Sequence, residues 1–272
     1  MKTLLKPDEF EALRQEVYRL TGVTLADGKL MMLSGRVRRH MNRLGLTECS
    51  EYLRQIRQRG EAQDHFVDAV TTHKTSLFRT TSVWNRLIEE LLPELASQHT
   101  TVRLWSGAAS RGHEPASLAI ACEHVARGPL RMRWSVLATD VSPGMVTATR
   151  AACFEQAEIR EASLRFPRID IPGSFERARP SEPRRLKSGL RGGLCAAQHN
   201  LLSQPPSVGF HMIFLRNVII YFSQRDKVQV IQNARRALVD GGVLVIGESE
   251  ALLKGEAYGL EYIDHCFYRR VA

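Results

Sequence analysis

Between residues 8 and 70 apolar side chains recur at three- and four-residue intervals, and no run alternates strictly between apolar and polar, which predicts helices and no strands. Asp8 followed by Glu11 has the spacing of a capping box, and it opens an amphipathic helix through Leu20 that Gly22 ends. A second helix is predicted from Gly28 to Leu44. At ~100° per residue Leu30, Leu33, Val37, Met41 and Leu44 share one stripe. Arg36, Arg39 and Arg43 gather on the opposite face. Further helices are expected over residues 50–59 and 62–72, completing a small all-helical domain.

The texture changes near residue 80, and from about Thr100 strands and helices alternate. Predicted strands are 101–105, 134–138, 212–215, 243–246 and 265–271, and predicted helices are 116–125, 143–153 and 224–239. Asp240-Gly-Gly242 is predicted to be the turn between the last helix and the strand that follows it. Alternation of this kind predicts a doubly wound, mostly parallel α/β sheet of Rossmann-like form. The expected division is a helical domain at 1–78 and an α/β domain at 79–272.

Ligands of such sheets sit beyond the C-terminal strand ends. That directs attention to Ser106–Glu114, Asp140, Asn200 and Asn217. The small residues of Ser106-Gly-Ala-Ala-Ser-Arg-Gly112 let a backbone approach a ligand closely, and the helix after them offers its first amides. Asp140, at a strand tip, can accept from two ribose hydroxyls or cap the next helix; the residues alone leave both open.

Composition narrows the classes. No apolar run reaches the ~18–20 residues that span a bilayer, and residues 1–10 lack the apolar core of a signal peptide, so a cytoplasmic protein is expected. Five scattered cysteines without CxxC spacing point to a reduced compartment and no zinc site. His113-Glu114 begins like HExxH, but Pro115 and Ser117 break the pattern, so no metal is expected. The net charge of +9 suits an acidic partner without identifying it. The Arg36, Arg39 and Arg43 face is either solvated or a docking face for an acidic helix or a phosphate backbone, and no aromatics interleave it to stack bases.

Read together, the loops resemble the CheR family of chemotaxis-receptor methyltransferases. Thr71-Thr-His-Lys-Thr-Ser-Leu-Phe-Arg79 is similar to the family's TTNxTxFFR, and residues 105–117 to its WSAACSTGEEPYS. Ala138-Thr-Asp-Val-Ser142 resembles ATDIS, and Asn200-Leu201 resembles NL. Phe214-Leu-Arg-Asn-Val-Ile-Ile-Tyr-Phe222 resembles FCRNVLIYF, and the stretch from Gly241 to Glu250 resembles GGxLxxGxSE.

The resemblance implies an S-adenosylmethionine-dependent enzyme that esterifies glutamate side chains on the cytoplasmic helices of methyl-accepting chemotaxis receptors, with neither nucleic acid nor membrane insertion involved. It implies a cofactor site of Thr75, Arg79, Glu114, Asp140, Asn200, Leu201, Asn217 and Val218. With that activity Arg79 and Tyr221 are the candidate catalytic pair, Tyr221 being otherwise a core aromatic between Ile220 and Phe222, and Arg36, Arg39 and Arg43 are the candidate substrate-docking face. Residues 160–194, with nine basic and four acidic side chains and four prolines, match least well, and a divergent small β-subdomain is expected there. The chain departs from the family strings at His73, where they have Asn, at Lys74 and Leu77, and at His113. A degenerate binding module is one alternative. A nucleic-acid methyltransferase is the other, although Arg216-Asn-Val-Ile219 stands where such enzymes carry NPPY or DPPY.

Overall fold

The computed structural model describes residues 5–252, 258–264 and 266–271. Four helices open the chain: α1 (Pro7–Thr21), α2 (Leu30–Arg43), α3 (Cys49–Arg57) and α4 (Glu61–Val70). The start of α1 is capped two residues earlier than Asp8 and Glu11 suggest: Glu9 accepts the Lys6 N–H at 2.8 Å, and Pro7 takes the first helical position. Its end is as expected, with Gly22 at φ +75° donating to the Tyr18 carbonyl. A 3-10 turn over Asp27–Lys29 delays the start of α2 to Leu30. Leu13, Val17, Leu33, Val37, Tyr52, Ile56 and Phe66 close a core of their own between these helices. Truncating one such side chain, as in Leu33→Ala, costs about 2–5 kcal/mol.

The α/β unit begins before the first strand. Helices α5 (Thr81–Arg86) and α6 (Leu92–Gln98) are joined by a π turn at Leu87–Leu91. Their residues Val83, Trp84, Leu87 and Leu91 share the sheet's core, as do Leu77 and Phe78 of the preceding loop. Then come β1 (Thr101–Ser106), α7 (His113–Ala126), β2 (Arg133–Asp140), α8 (Pro143–Ala151), β3 (Cys153–Phe154), α9 (Gln156–Arg165), β4 (Arg184–Arg185), α10 (Ser188–Arg191) and β5 (Leu194–Gln198). The chain continues through β6 (Phe210–Leu215), α11 (Gln224–Ala237), β7 (Leu238–Ile246), β8 (Leu260–Asp264) and β9 (Phe267–Arg270).

Seven strands form one sheet in the order β5-β2-β1-β6-β7-β9-β8, parallel from β5 through β7, with β9 antiparallel to β7 and to β8. The predicted turn at Asp240-Gly-Gly242 lies instead within β7. Gly241 at φ +74° absorbs an irregularity there, and pairing with β6 resumes at Met212↔Val243. The predicted start of the last strand, His265, lies outside the described residues; β9 runs from Phe267. Within the divergent segment, Arg184 and Arg185 pair with Cys153 and Phe154 as a two-residue ribbon, and one more bridge joins Phe175 to Leu186. No helix among the described residues is long and apolar enough to cross a membrane.

Specific bonds hold the helical unit against the sheet. The Thr24 amide donates to the Tyr221 carbonyl at 2.9 Å, and the Tyr18 hydroxyl to Asp226 at 3.2 Å. Asp68 of α4 accepts from the Ser142 hydroxyl and from the Gly144 amide at 3.3 Å. A Cβ on Gly22 would stand 2.6 Å from Leu202, so the helix stop is also a close contact between the two units.

Candidate functional site

The C-terminal ends of β1, β2, β5 and β6 open into a cleft of about 520 Å³, roofed by the end of α1 and the residues after it. That volume is in the range of a nucleoside-sized ligand. Thr75, Arg79, Glu114, Asp140, Leu201, Asn217, Val218 and Tyr221 all line it. Asn200 does not: its amide nitrogen donates to the Leu20 carbonyl at 3.4 Å and its oxygen accepts the Leu202 amide at 3.0 Å, so its side chain is spent on a turn and on the end of α1. Arg36, Arg39 and Arg43 are also outside the lining. Arg39 and Arg43 are exposed, whereas Arg36 is half-buried and donates to the Thr71 carbonyl at 3.0 Å.

Asp140 ends β2 almost fully buried. Its two oxygens accept the amides of Ser110 at 2.8 Å and Ser142 at 2.9 Å. Ser142, not Asp140, caps α8, accepting from the Met145 amide, which excludes the capping role for the aspartate. Burial holds the Asp140 carboxyl above the usual carboxylate range, against the opposing pull of those amides and of His73. Each oxygen keeps a second lone pair for a ligand hydroxyl. The Ser110 hydroxyl, on the same wall, is buried without a partner among the described residues.

Glu114 stands in the first turn of α7. One oxygen accepts from the Ser106 hydroxyl at 2.8 Å and the other pairs with Arg216 at 3.2 Å. Arg216 also donates to the Arg79 carbonyl at 2.9 Å, so one buried guanidinium ties β6 to the acidic first turn and to the signature loop. No local pattern in the sequence marks Arg216, because its partner Glu114 is 102 residues away. Glu250 is unmarked in the same way. It accepts the amides of Asn217 (2.7 Å), Gly247 (2.6 Å) and Ile220 (3.2 Å), fixing the loop that carries Asn217, where φ is +59°, through Tyr221.

The signature loop is equally constrained. Phe78 and Thr80 hold positive φ values of +50° and +69°. Such strain persists only where surroundings over-determine the backbone. Here the Phe78 amide donates to Ser117, Arg165 donates to the Leu77 carbonyl, and Trp84 donates to the Arg79 carbonyl. Leu77 is therefore a core residue. The half-buried Arg79 side chain spends one donor on the Lys74 carbonyl at 3.0 Å and keeps the rest of its fork for the cleft. His113 turns away from the cleft to Glu158 at 3.1 Å and packs edge-on to Phe154, and burial pushes its imidazole down.

These groups suit a cationic nucleoside. Asp140 presents two carboxylate oxygens that could accept from a diol, Glu114 presents a carboxylate that could meet an ammonium, and Val141, Leu201 and Val218 supply apolar wall.

Known proteins resemble the chain along most of its length. A family profile described as "CheR methyltransferase, all-alpha domain" matches residues 8–71, and one described as "CheR methyltransferase, SAM binding domain" matches residues 73–263. The chain is 33% identical over 256 residues to chemotaxis protein methyltransferase 1 of Pseudomonas aeruginosa, covering 90% of each. It is 31% identical to chemotaxis protein methyltransferase Cher2 of Pseudomonas putida, again over 90% of both chains. With a chemotaxis protein methyltransferase of Listeria monocytogenes the identity is 28% over 93% of each.

Proposed function

The chain belongs to the CheR methyltransferase family, and from that membership we propose that it esterifies glutamate side chains on the cytoplasmic helices of chemotaxis receptors, acting in the cytoplasm and yielding γ-glutamyl methyl esters. S-adenosylmethionine is its cofactor, and it supplies a methyl group on a sulfonium that a carboxylate can attack. The observation that carries the glutamate reading is the meeting of Arg79 and Tyr221, from separate loops, in one cleft with Glu114 and Asp140.

Each residue of the cleft has a task that its chemistry fits. Asp140 receives the ribose hydroxyls, and Glu114, held in place by Ser106 and Arg216, receives the ammonium of the amino-acid end. Thr75, Asn217, Val218 and Leu201 complete the wall. Asn200 acts on the cofactor through the turn it fixes.

On the substrate side, a glutamate carboxylate is already anionic near neutrality, so no general base is required. It must lose water on entry. The free donors of Arg79 and the Tyr221 hydroxyl replace part of that hydration, and the guanidinium fork fits two carboxylate oxygens at once. Holding the oxygen in line with the methyl group supplies much of the acceleration. Arg39 and Arg43, exposed on α2, give an acidic receptor helix a face to dock on, while Arg36 braces the Thr71 end of the signature loop.

The test is transfer of labelled methyl to a purified receptor cytoplasmic domain, with RNA and DNA as parallel acceptors. Base-labile label on the receptor is expected. Label on nucleic acid alone would overturn the proposal.

A further inference from the structure

Glu250 stands outside the lining of the cleft, yet it holds the loop that lines it. It closes a tight turn after β7, where its own amide donates to the Gly247 carbonyl at 2.9 Å. Its side chain is buried and reaches back to the loop after β6. The two carboxylate oxygens take different partners. Oε2 accepts the Asn217 amide at 2.7 Å and the Gly247 amide at 2.6 Å, whereas Oε1 accepts the Ile220 amide at 3.2 Å.

Those partners belong to two parts of the cleft wall. Asn217 and Val218 form one part, and the φ of +59° at Asn217 needs an anchor to persist. The bond from its amide to Oε2 is that anchor. The other part is the 3-10 turn Ile219–Tyr221. There the Tyr221 amide donates to the Val218 carbonyl at 3.1 Å, and the Tyr221 carbonyl accepts the Thr24 amide at 2.9 Å. Ile220 is 47% exposed, so packing does little to hold it, and its amide on Oε1 ties the turn to the β7 side. Gly247 leaves room for the whole arrangement. A Cβ there would stand 2.6 Å from Oε2, 2.7 Å from Asn217 Nδ2 and 2.9 Å from the Asn217 amide nitrogen.

We propose that Glu250 is a positioning residue with two separable tasks: Oε2 sets the cofactor wall through Asn217, and Oε1 sets the carboxylate-receiving wall through Ile220 and Tyr221. This rests on the roles given above to Asn217 and Tyr221. Glutamine separates the two tasks. Its one amide oxygen keeps two bonds in the Oε2 position and one in the Oε1 position, so the first orientation is favoured. The NH2 group then points at the Ile220 N–H, a donor against a donor, and the turn that carries Tyr221 is released. Alanine removes all three bonds.

Two measurements on the full chain read the two tasks: calorimetric titration with S-adenosylmethionine, and labelled-methyl transfer to a purified receptor cytoplasmic domain at saturating cofactor. Both are run well below each variant's melting temperature, where a loss of stability alone moves neither readout. Glu250→Gln should keep cofactor affinity within about threefold. It should lower kcat for transfer by at least about tenfold, the consequence of a misplaced substrate contact. Glu250→Ala and Gly247→Ala should each weaken cofactor binding by about tenfold or more. Natural kcat in Glu250→Gln, or affinity and kcat falling there in equal proportion, would overturn the proposal, as would natural cofactor affinity in Gly247→Ala. If the natural protein binds cofactor but transfers nothing to the receptor, the glutamate reading falls and takes the substrate half of the proposal with it. The cofactor half then stands or falls on the titrations.

Discussion

Replacing Arg216 with Met removes a guanidinium whose side chain is 3% exposed, leaving Glu114, at 14% exposure, without its 3.2 Å partner. It also removes the donor to the Arg79 carbonyl. Breaking one side of a buried ion pair costs about 3–5 kcal/mol, because the surviving charge is stranded away from water. Glu114 keeps its bond from Ser106 and some solvent, so the lower part of that range, about 3 kcal/mol, is expected for Arg216→Met. Glu114→Gln strands Arg216 instead and should cost a similar amount. Once one partner is gone the other has little left to lose, so the double variant should be less destabilised than the sum by about 1.5–3 kcal/mol. Urea unfolding of the natural protein, both single variants and the double variant, followed by circular dichroism, gives this coupling directly. Additivity within about 0.5 kcal/mol would refute the view that Arg216 acts by holding Glu114.

Asp140→Ala should weaken S-adenosylmethionine binding by at least about tenfold, as expected for losing a carboxylate that bonds two hydroxyls, and unchanged calorimetric affinity would deny it contact with the cofactor. Reversing charge at Arg39 and Arg43 should slow receptor methylation while sparing cofactor affinity; normal rates would leave that face merely solvated. Burial pushes the imidazoles of His40 and His113 down. The unfolded chain therefore takes up protons first as pH falls below about 6.5, and folding stability must drop through that range. His113→Gln should flatten part of that slope in urea midpoints measured between about pH 7.5 and 5.5, and a slope identical to the natural protein's would contradict it.

The parts of the fold that were legible in the sequence are those where chemistry is written locally. Small residues at Ser106–Gly112, an aspartate at the strand tip and a helix-stopping Gly22 each declare themselves within a few positions. Helices α5 and α6 passed unassigned because a π turn at Leu87–Leu91 breaks their periodicity. Strand β5, Leu-Cys-Ala-Ala-Gln, is too weakly apolar and has no β-branched or aromatic residue to signal a strand. The Asp240-Gly-Gly signal is real turn chemistry, but β6 supplies pairing on both sides and converts it into an irregularity within a strand. Arg216 and Glu250 were hidden for another reason. Their importance lies in partners 102 and 33 residues away, which no local pattern reveals. The partner of the Asn200 amide, the Leu20 carbonyl at the end of α1, is likewise 180 residues away.

The measurement that bears most directly on the central claim is mass spectrometry of a receptor cytoplasmic domain after incubation with this protein and S-adenosylmethionine. The account predicts peptides heavier by one methyl group at glutamate, reverted by mild base, and their loss with Arg79→Ala at saturating cofactor. Methylation at another residue type, or base-stable methylation, would contradict it.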